Sequence, residues 1–155
     1  MPKFLFIIFW GALTISACSS VKKQQIPVQI QQGIEGYVYR MAGNFMPAPD
    51  MPPRKPNGIA TKVYIYEATN LKDVERIGFT PSYQTIHTKL ISTVQSDSTG
   101  HFAVELPVGS YSLFIKVNDH FYANAFDVAN NISLTKVTEH SVTHVEIRQS
   151  AAAVF

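Results

Sequence analysis

The chain has 155 residues, 46% hydrophobic and 15% charged, with 13 Lys and Arg against 11 Asp and Glu for a formal charge of +2. A near-neutral chain without a basic cluster argues against nucleic acid as a partner, because phosphate binding needs concentrated cationic surface. The first segment, "MPKFLFIIFWGAL", has one positive charge at Lys3 and then no charge from Phe4 to Ala17. A charged start, an apolar block and small residues before a cut point are the layout of a secretory signal. The block is shorter than the roughly 20 apolar residues a membrane-crossing helix requires, so it reads as a removable leader.

The only cysteine, Cys18, follows directly. A lone cysteine in an exported chain means a free thiol or an intermolecular bridge. Its flanks offer a third reading, since Ile15-Ser16-Ala17-Cys18 resembles the lipobox of bacterial lipoproteins. The resemblance implies cleavage after residue 17, acylation of the Cys18 thiol, and attachment to a membrane through several acyl chains. At about 0.8 kcal/mol per buried CH₂, several chains hold where one would be marginal. Ser19, rather than Asp, follows the cysteine, and in the lipoprotein family this implies the outer membrane, with the facing side left open. Loss of residues 1–17 removes Lys3 and no acid, taking the charge from +2 to +1. Residues 18–32, including "VKKQQIPVQIQQ", are polar, Gln-rich and poor in aromatics, as expected of a tether. Residues 33–155 form one domain, long enough to bury a single core.

That domain reads as strands. In "IEGYVYRM", Ile34, Gly36 and Val38 share one face, and Tyr37 and Tyr39 the other. "TKVYIYEA" repeats the pattern, with Val63 and Ile65 opposite Tyr64 and Tyr66. Further strands are expected at Thr88–Gln95, at "HFAVELP" with Phe102, Val104 and Leu106 in register, and at "SYSLFIKV" with Tyr111, Leu113, Ile115 and Val117 in register. "FYANAFDV" and "SVTHVEIRQ" complete about seven, the number expected of an antiparallel β-sandwich. In "SDSTGHF", Asp97 caps its own turn and Gly100 supplies a positive φ. In "LPVGSY", Pro107 stops a strand and Gly109 turns the chain. Residues 42–58 carry five prolines and read as an extended surface loop that cannot ladder. "NLKDVERIG", with Asn70 as N-cap and Asp73 in the first turn, reads as one short inserted helix.

Gly36 and Val38, then Ser96, Asp97, Gly100 and Phe102, then Leu106, Pro107, Gly109 and Tyr111 resemble the recurring pattern of carboxypeptidase regulatory-like domains. The resemblance implies a prealbumin-like (transthyretin-like, Ig-like) β-sandwich over nearly the whole domain. The Pro-rich segment, the "IYE" strand and the terminal "AAAVF" resemble single-domain lipoproteins of Bacteroidetes. The chain departs from the family pattern at Thr69–His87, where a quick turn is usual. Fold does not carry function here, because such modules serve as binding, folding and accessory domains.

No catalytic constellation is evident. There is no nucleophile elbow and no phosphate-cradling glycine loop. The "SAAAVF" end lacks the Tyr-Arg-Gly-Ser tail of the hydroxyisourate hydrolases, which share the transthyretin-type fold. "SDSTG" has too few acids for calcium. His140, His144 and Glu146 have even spacing that would put three N/O ligands on one strand face, the set a zinc enzyme would need; a solvated terminal strand is the plainer reading. No cofactor is expected. Tyr37, Tyr39, Tyr64 and Tyr66 form one aromatic patch if their strands are neighbours, and such a patch would suit a carbohydrate. Otherwise the inserted helix, through Leu71, Val74 and Ile77, and the Pro-rich loop cover them as a second small core. The expectation is a non-catalytic binding or accessory module, attached to the membrane through Cys18, with a glycan or an envelope protein as partner.

Overall fold

The computed structural model describes residues 30–46 and 55–154. The leader, Cys18, the tether up to residue 29 and the centre of the Pro-rich segment lie outside the described residues. In chain order the strands are β1 (Gly33–Asn44), β2 (Asn57–Gly58), β3 (Lys62–Glu67), β4 (Val74–Arg76), β5 (Ser82–Ile86), β6 (Leu90–Gln95), β7 (His101–Glu105), β8 (Gly109–Val117), β9 (His120–Tyr122), β10 (Leu134–Val137) and β11 (Val142–Val154). They build an all-β sandwich of two sheets. In the four-stranded sheet, β1 pairs with β11 on one side and with β7 and β2 on the other. The seven-stranded sheet has the order β4-β5-β9-β8-β3-β6, with β10 also on β8. All ladders are antiparallel except β1–β11, where the domain's first strand and its last run side by side in parallel.

Alternation explains the main core. Ile34 and Val38 of β1, Val63 and Ile65 of β3, Phe102 and Leu106, and Tyr111, Leu113 and Ile115 of β8 meet between the sheets. Tyr122 and Val137 join them. Each large side chain withdrawn from water in this way contributes about 1.5–3 kcal/mol.

A second cluster lies on the other face of β3 and β8. Tyr66, Tyr83, Phe114, Ala123 and Ile132 are buried there, and Tyr64, Leu71, Val74, Ile86 and Phe121 pack against them. Strand β8 is therefore buried on both faces, which is why "SYSLFIKV" contains an almost unbroken apolar run. The segment expected to form a helix supplies much of this cover, but it is not a helix. Asn70 is the expected N-cap and completes a capping box with Asp73, yet only one 3-10 turn, Leu71–Asp73, follows it. The chain then becomes the β4–β5 hairpin, reversing at Gly78 with φ +57°. The Leu71, Val74, Ile77 spacing mimics a helix period, but cross-strand pairing of Val74 with Ile86 decides the outcome.

Buried hydroxyls fix the point where this excursion leaves the sheet. The Thr69 amide donates to Ser112 Oγ at 2.9 Å and the Thr69 hydroxyl donates to the Glu67 carbonyl at 2.7 Å. Three further expectations need correction. "FYANAFDV" is a strand only as far as Tyr122, after which Asp127 organises a turn by accepting from the amides of Ala129 and Asn131. The Pro-rich segment does ladder at both ends: Ala42, Gly43 and Asn44 belong to β1 and pair with β11, and Asn57 and Gly58 pair with Arg40 and Tyr39. Gly109 does not turn the chain but begins β8; a Cβ there would lie 3.1 Å from the Tyr111 hydroxyl, so the glycine makes room for a ring whose hydroxyl donates to the Pro107 carbonyl.

Candidate functional site

The four tyrosines do not form one patch. Tyr37 and Tyr39 lie on β1 in the small sheet, whereas Tyr64 and Tyr66 lie on β3 in the large one. Tyr66 is buried, and Tyr64 stands edge-on to Phe121 at 5.3 Å, both within the second cluster. Burial raises the pKa of the Tyr66 phenol, and that of Tyr83. On β3, Tyr66 is buried and Tyr64 half-buried against the second cluster; on β1, Tyr37 stays exposed and Tyr39 is half-buried.

Around the β1 pair the small sheet assembles a mixed surface. Along β1 the outward side chains are Glu35, Tyr37 and Tyr39. Register places His144, Glu146 and Arg148 of β11 beside them in that order. On the other flank, His101 of β7 lies beside Tyr37 and Ala103 beside Glu35. The Tyr37 and Tyr39 rings stack at 5.8 Å, 8° from parallel, and the His101 ring lies 5.1 Å from that of Tyr37. His101 Nε2 donates to Glu35 Oε1 at 2.7 Å, and His144 Nδ1 lies 3.7 Å from the other carboxylate oxygen. Arg148 donates twice to Glu146 Oε2, at 3.0 and 2.6 Å.

The backbone under His101 is held as firmly as its ring. Its amide donates to Asp97 Oδ1, which also accepts from the Thr99 hydroxyl and amide. The Thr99 hydroxyl, helped by these amides, keeps the Asp97 carboxyl below the usual carboxylate range. Exposed ion pairs of this kind add little stability. Their effect is on order: Tyr37 is fixed between Tyr39 and His101 while 40% of its surface remains in water. A partner meeting this face would have few side chains left to immobilise.

His140, His144 and Glu146 are not gathered into one cluster. His140 sits in the turn before β11 with φ +50°, and its amide donates to the Gln32 side chain at 3.0 Å. His144 and Glu146 are exposed on the sheet face. Among the described residues no three His, Cys, Asp or Glu side chains are grouped to hold a metal ion. At the end of the sandwich where β1 begins, a depression of about 460 Å³ is lined by Gln31, Gln32, Glu105, Leu106, Pro107 and His140. Gln32 closes part of it, donating from its side chain to the Leu106 carbonyl at 3.0 Å.

Glu35, His101 and Arg148 belong to this surface although no motif marks them. Glu35 shares parity with Tyr37 and Tyr39, and Arg148 shares parity with His144 and Glu146. What sequence pattern lacks is the parallel contact of β1 with a strand more than a hundred residues away. No family model, curated protein or solved structure matches this chain.

Proposed function

We propose that this chain is a lipid-anchored, non-catalytic module of the cell envelope that binds a protein partner through the outer face of β7–β1–β11. One observation carries the binding half: Tyr37 stacks on Tyr39, lies against His101 and is flanked by Glu35, Glu146 and Arg148, yet remains exposed to water. Tyrosine and arginine in a fixed, partly desolvated setting are the residues that dominate protein interfaces. Glu35, Glu146 and Arg148 rim the exposed tyrosine, and an aromatic centre with a charged rim is the make-up of a protein interface. The anchoring half rests on the lipobox-like Ile15-Ser16-Ala17-Cys18, and the prealbumin-like assignment on the Asp97–Tyr111 pattern.

Both halves have a direct test. Cells grown with an alkyne-bearing fatty acid should label the full chain, and Cys18→Ser should abolish the label and release the protein from the membrane fraction. A photo-cross-linking residue at position 37 should give a discrete protein adduct that Arg148→Glu removes, and the same probe at Leu90 on β6 should give none. An unlabelled wild-type chain sinks the anchor. Equal adducts from positions 37 and 90, or none from 37, sink the binding face.

A further inference from the structure

The edges of the two sheets are unequally protected. Exposed strand edges attract other strands, and proteins blunt them by shortening, bulging or covering them. Strand β4 has three residues, and β6 is bulged at Ile91, the residue skipped between the Ile65–Ser92 and Tyr66–Leu90 pairs. On β10, Thr143 donates its hydroxyl to the Lys136 carbonyl at 2.7 Å.

Strand β11 is covered along only part of its length. As far as the register shift after Gln149, its odd-numbered residues direct their backbone groups toward β1, as Ser141 just before the strand does in accepting from the Gly33 amide at 3.1 Å. Even-numbered residues therefore direct theirs to the open side. There the chain covers one stretch itself: Asn124 donates to the Arg148 carbonyl at 3.2 Å, and the Ser150 amide donates to the Tyr122 hydroxyl at 3.1 Å. Among the described residues nothing gives His144 and Glu146 such cover, and their two amides and two carbonyls face outward in register.

We propose that a second copy of this chain pairs with this stretch, β11 against β11 and antiparallel about Val145. An antiparallel neighbour that satisfies all four groups must place its own edge-facing residues opposite His144 and Glu146. Centred on Val145, the second copy sets its Glu146 against His144 and its His144 against Glu146. Both cross-strand pairs then join an imidazole to a carboxylate, the favourable arrangement for directly opposed residues. Centring on residue 146 would oppose two carboxylates, and centring on 144 two imidazoles. Read antiparallel, His144-Val145-Glu146 is its own complement, as an isologous two-fold contact requires. The other open edge, β7, offers Ala103 and Glu105, and pairing about Val104 would set alanine against glutamate with no such match. The contact joins the two small sheets edge to edge and leaves the Tyr37–Tyr39 face uncovered.

The test uses the full chain in cells carrying two differently tagged copies, with a photo-cross-linking residue at position 144. The expected product contains both tags and joins position 144 to the peptide around Glu146 of the second copy. Glu146→Pro, which deletes an amide facing away from β1, should abolish it. As a check that leaves the backbone intact, His144→Glu measured with the probe at position 142 should cut the yield several-fold. Adding Glu146→Lys should restore it. Adducts to other proteins alone, no adduct carrying both tags, or a yield indifferent to both the charge change and its rescue would overturn the proposal.

Discussion

Phe114→Ala should lower the unfolding free energy of the protein by about 3–5 kcal/mol, the range for emptying a buried aromatic site. Phe114 is fully buried in the second cluster, where Tyr66, Tyr83 and Phe121 meet it edge-on at 5.7, 5.8 and 6.4 Å. Those three rings come from β3, β5 and β9, so no single strand can move to fill the space. The cluster also ties down the β4–β5 hairpin, whose remaining links are few: β5 pairs with β9 over only two residue pairs. Loss of the ring should therefore speed hydrogen exchange in β4, β5 and residues 123–133 more than in β1. Urea unfolding followed by circular dichroism gives the magnitude, and native-state exchange gives the location. A cost below about 1 kcal/mol would mean that the outer cluster is not a packed core.

The second large effect is expected at Gly100, through the backbone. Gly100 has φ +87°, and a Cβ on it would lie 2.3 Å from the Val38 carbonyl oxygen. That carbonyl accepts from the Ile59 amide at 3.0 Å, and the Val38 amide donates to the Gly100 carbonyl at 2.9 Å. Gly100→Ala thus meets left-handed strain of about 1–2 kcal/mol and must also disturb hydrogen bonds, each worth about 1 kcal/mol. A total of roughly 2–4 kcal/mol follows. Gly78→Ala separates the two causes, since Gly78 also has positive φ but nothing lies within 4 Å of its added Cβ. It should cost only the strain, roughly 1–2 kcal/mol. Equal losses at the two glycines in urea titrations would show that the contact with β1 is unimportant.

Much of the sandwich was legible from period-two alternation. Ile34 with Val38, Val63 with Ile65, and Tyr111 with Leu113 and Ile115 all face the main core. The "SDSTGHF" turn was legible because its geometry is written in local chemistry: Asp97 caps the turn and Gly100 takes the positive φ. The insertion was misread because Leu71, Val74 and Ile77 fit a helical period, although the covering role expected of them at Tyr64 and Tyr66 is present for Leu71 and Val74. The candidate site was legible residue by residue on each strand and illegible as an assembly. Alternation assigns Tyr37 and Tyr64 to outward faces but says nothing of which strands are neighbours. Strand order separates those two tyrosines and brings Tyr37 beside His101 and Glu146 instead.

The measurement that bears most directly on the binding face is tyrosine footprinting of the full chain, purified and within intact envelopes. Hydroxyl radicals should modify Tyr37 in the purified protein, where 40% of its surface is open, and spare the fully buried Tyr83. If the β7–β1–β11 face is occupied in the cell, Tyr37 and Tyr39 become protected there several-fold, while half-covered Tyr64 on the opposite sheet reacts equally in both settings. Equal modification of Tyr37 in the two settings would contradict the account.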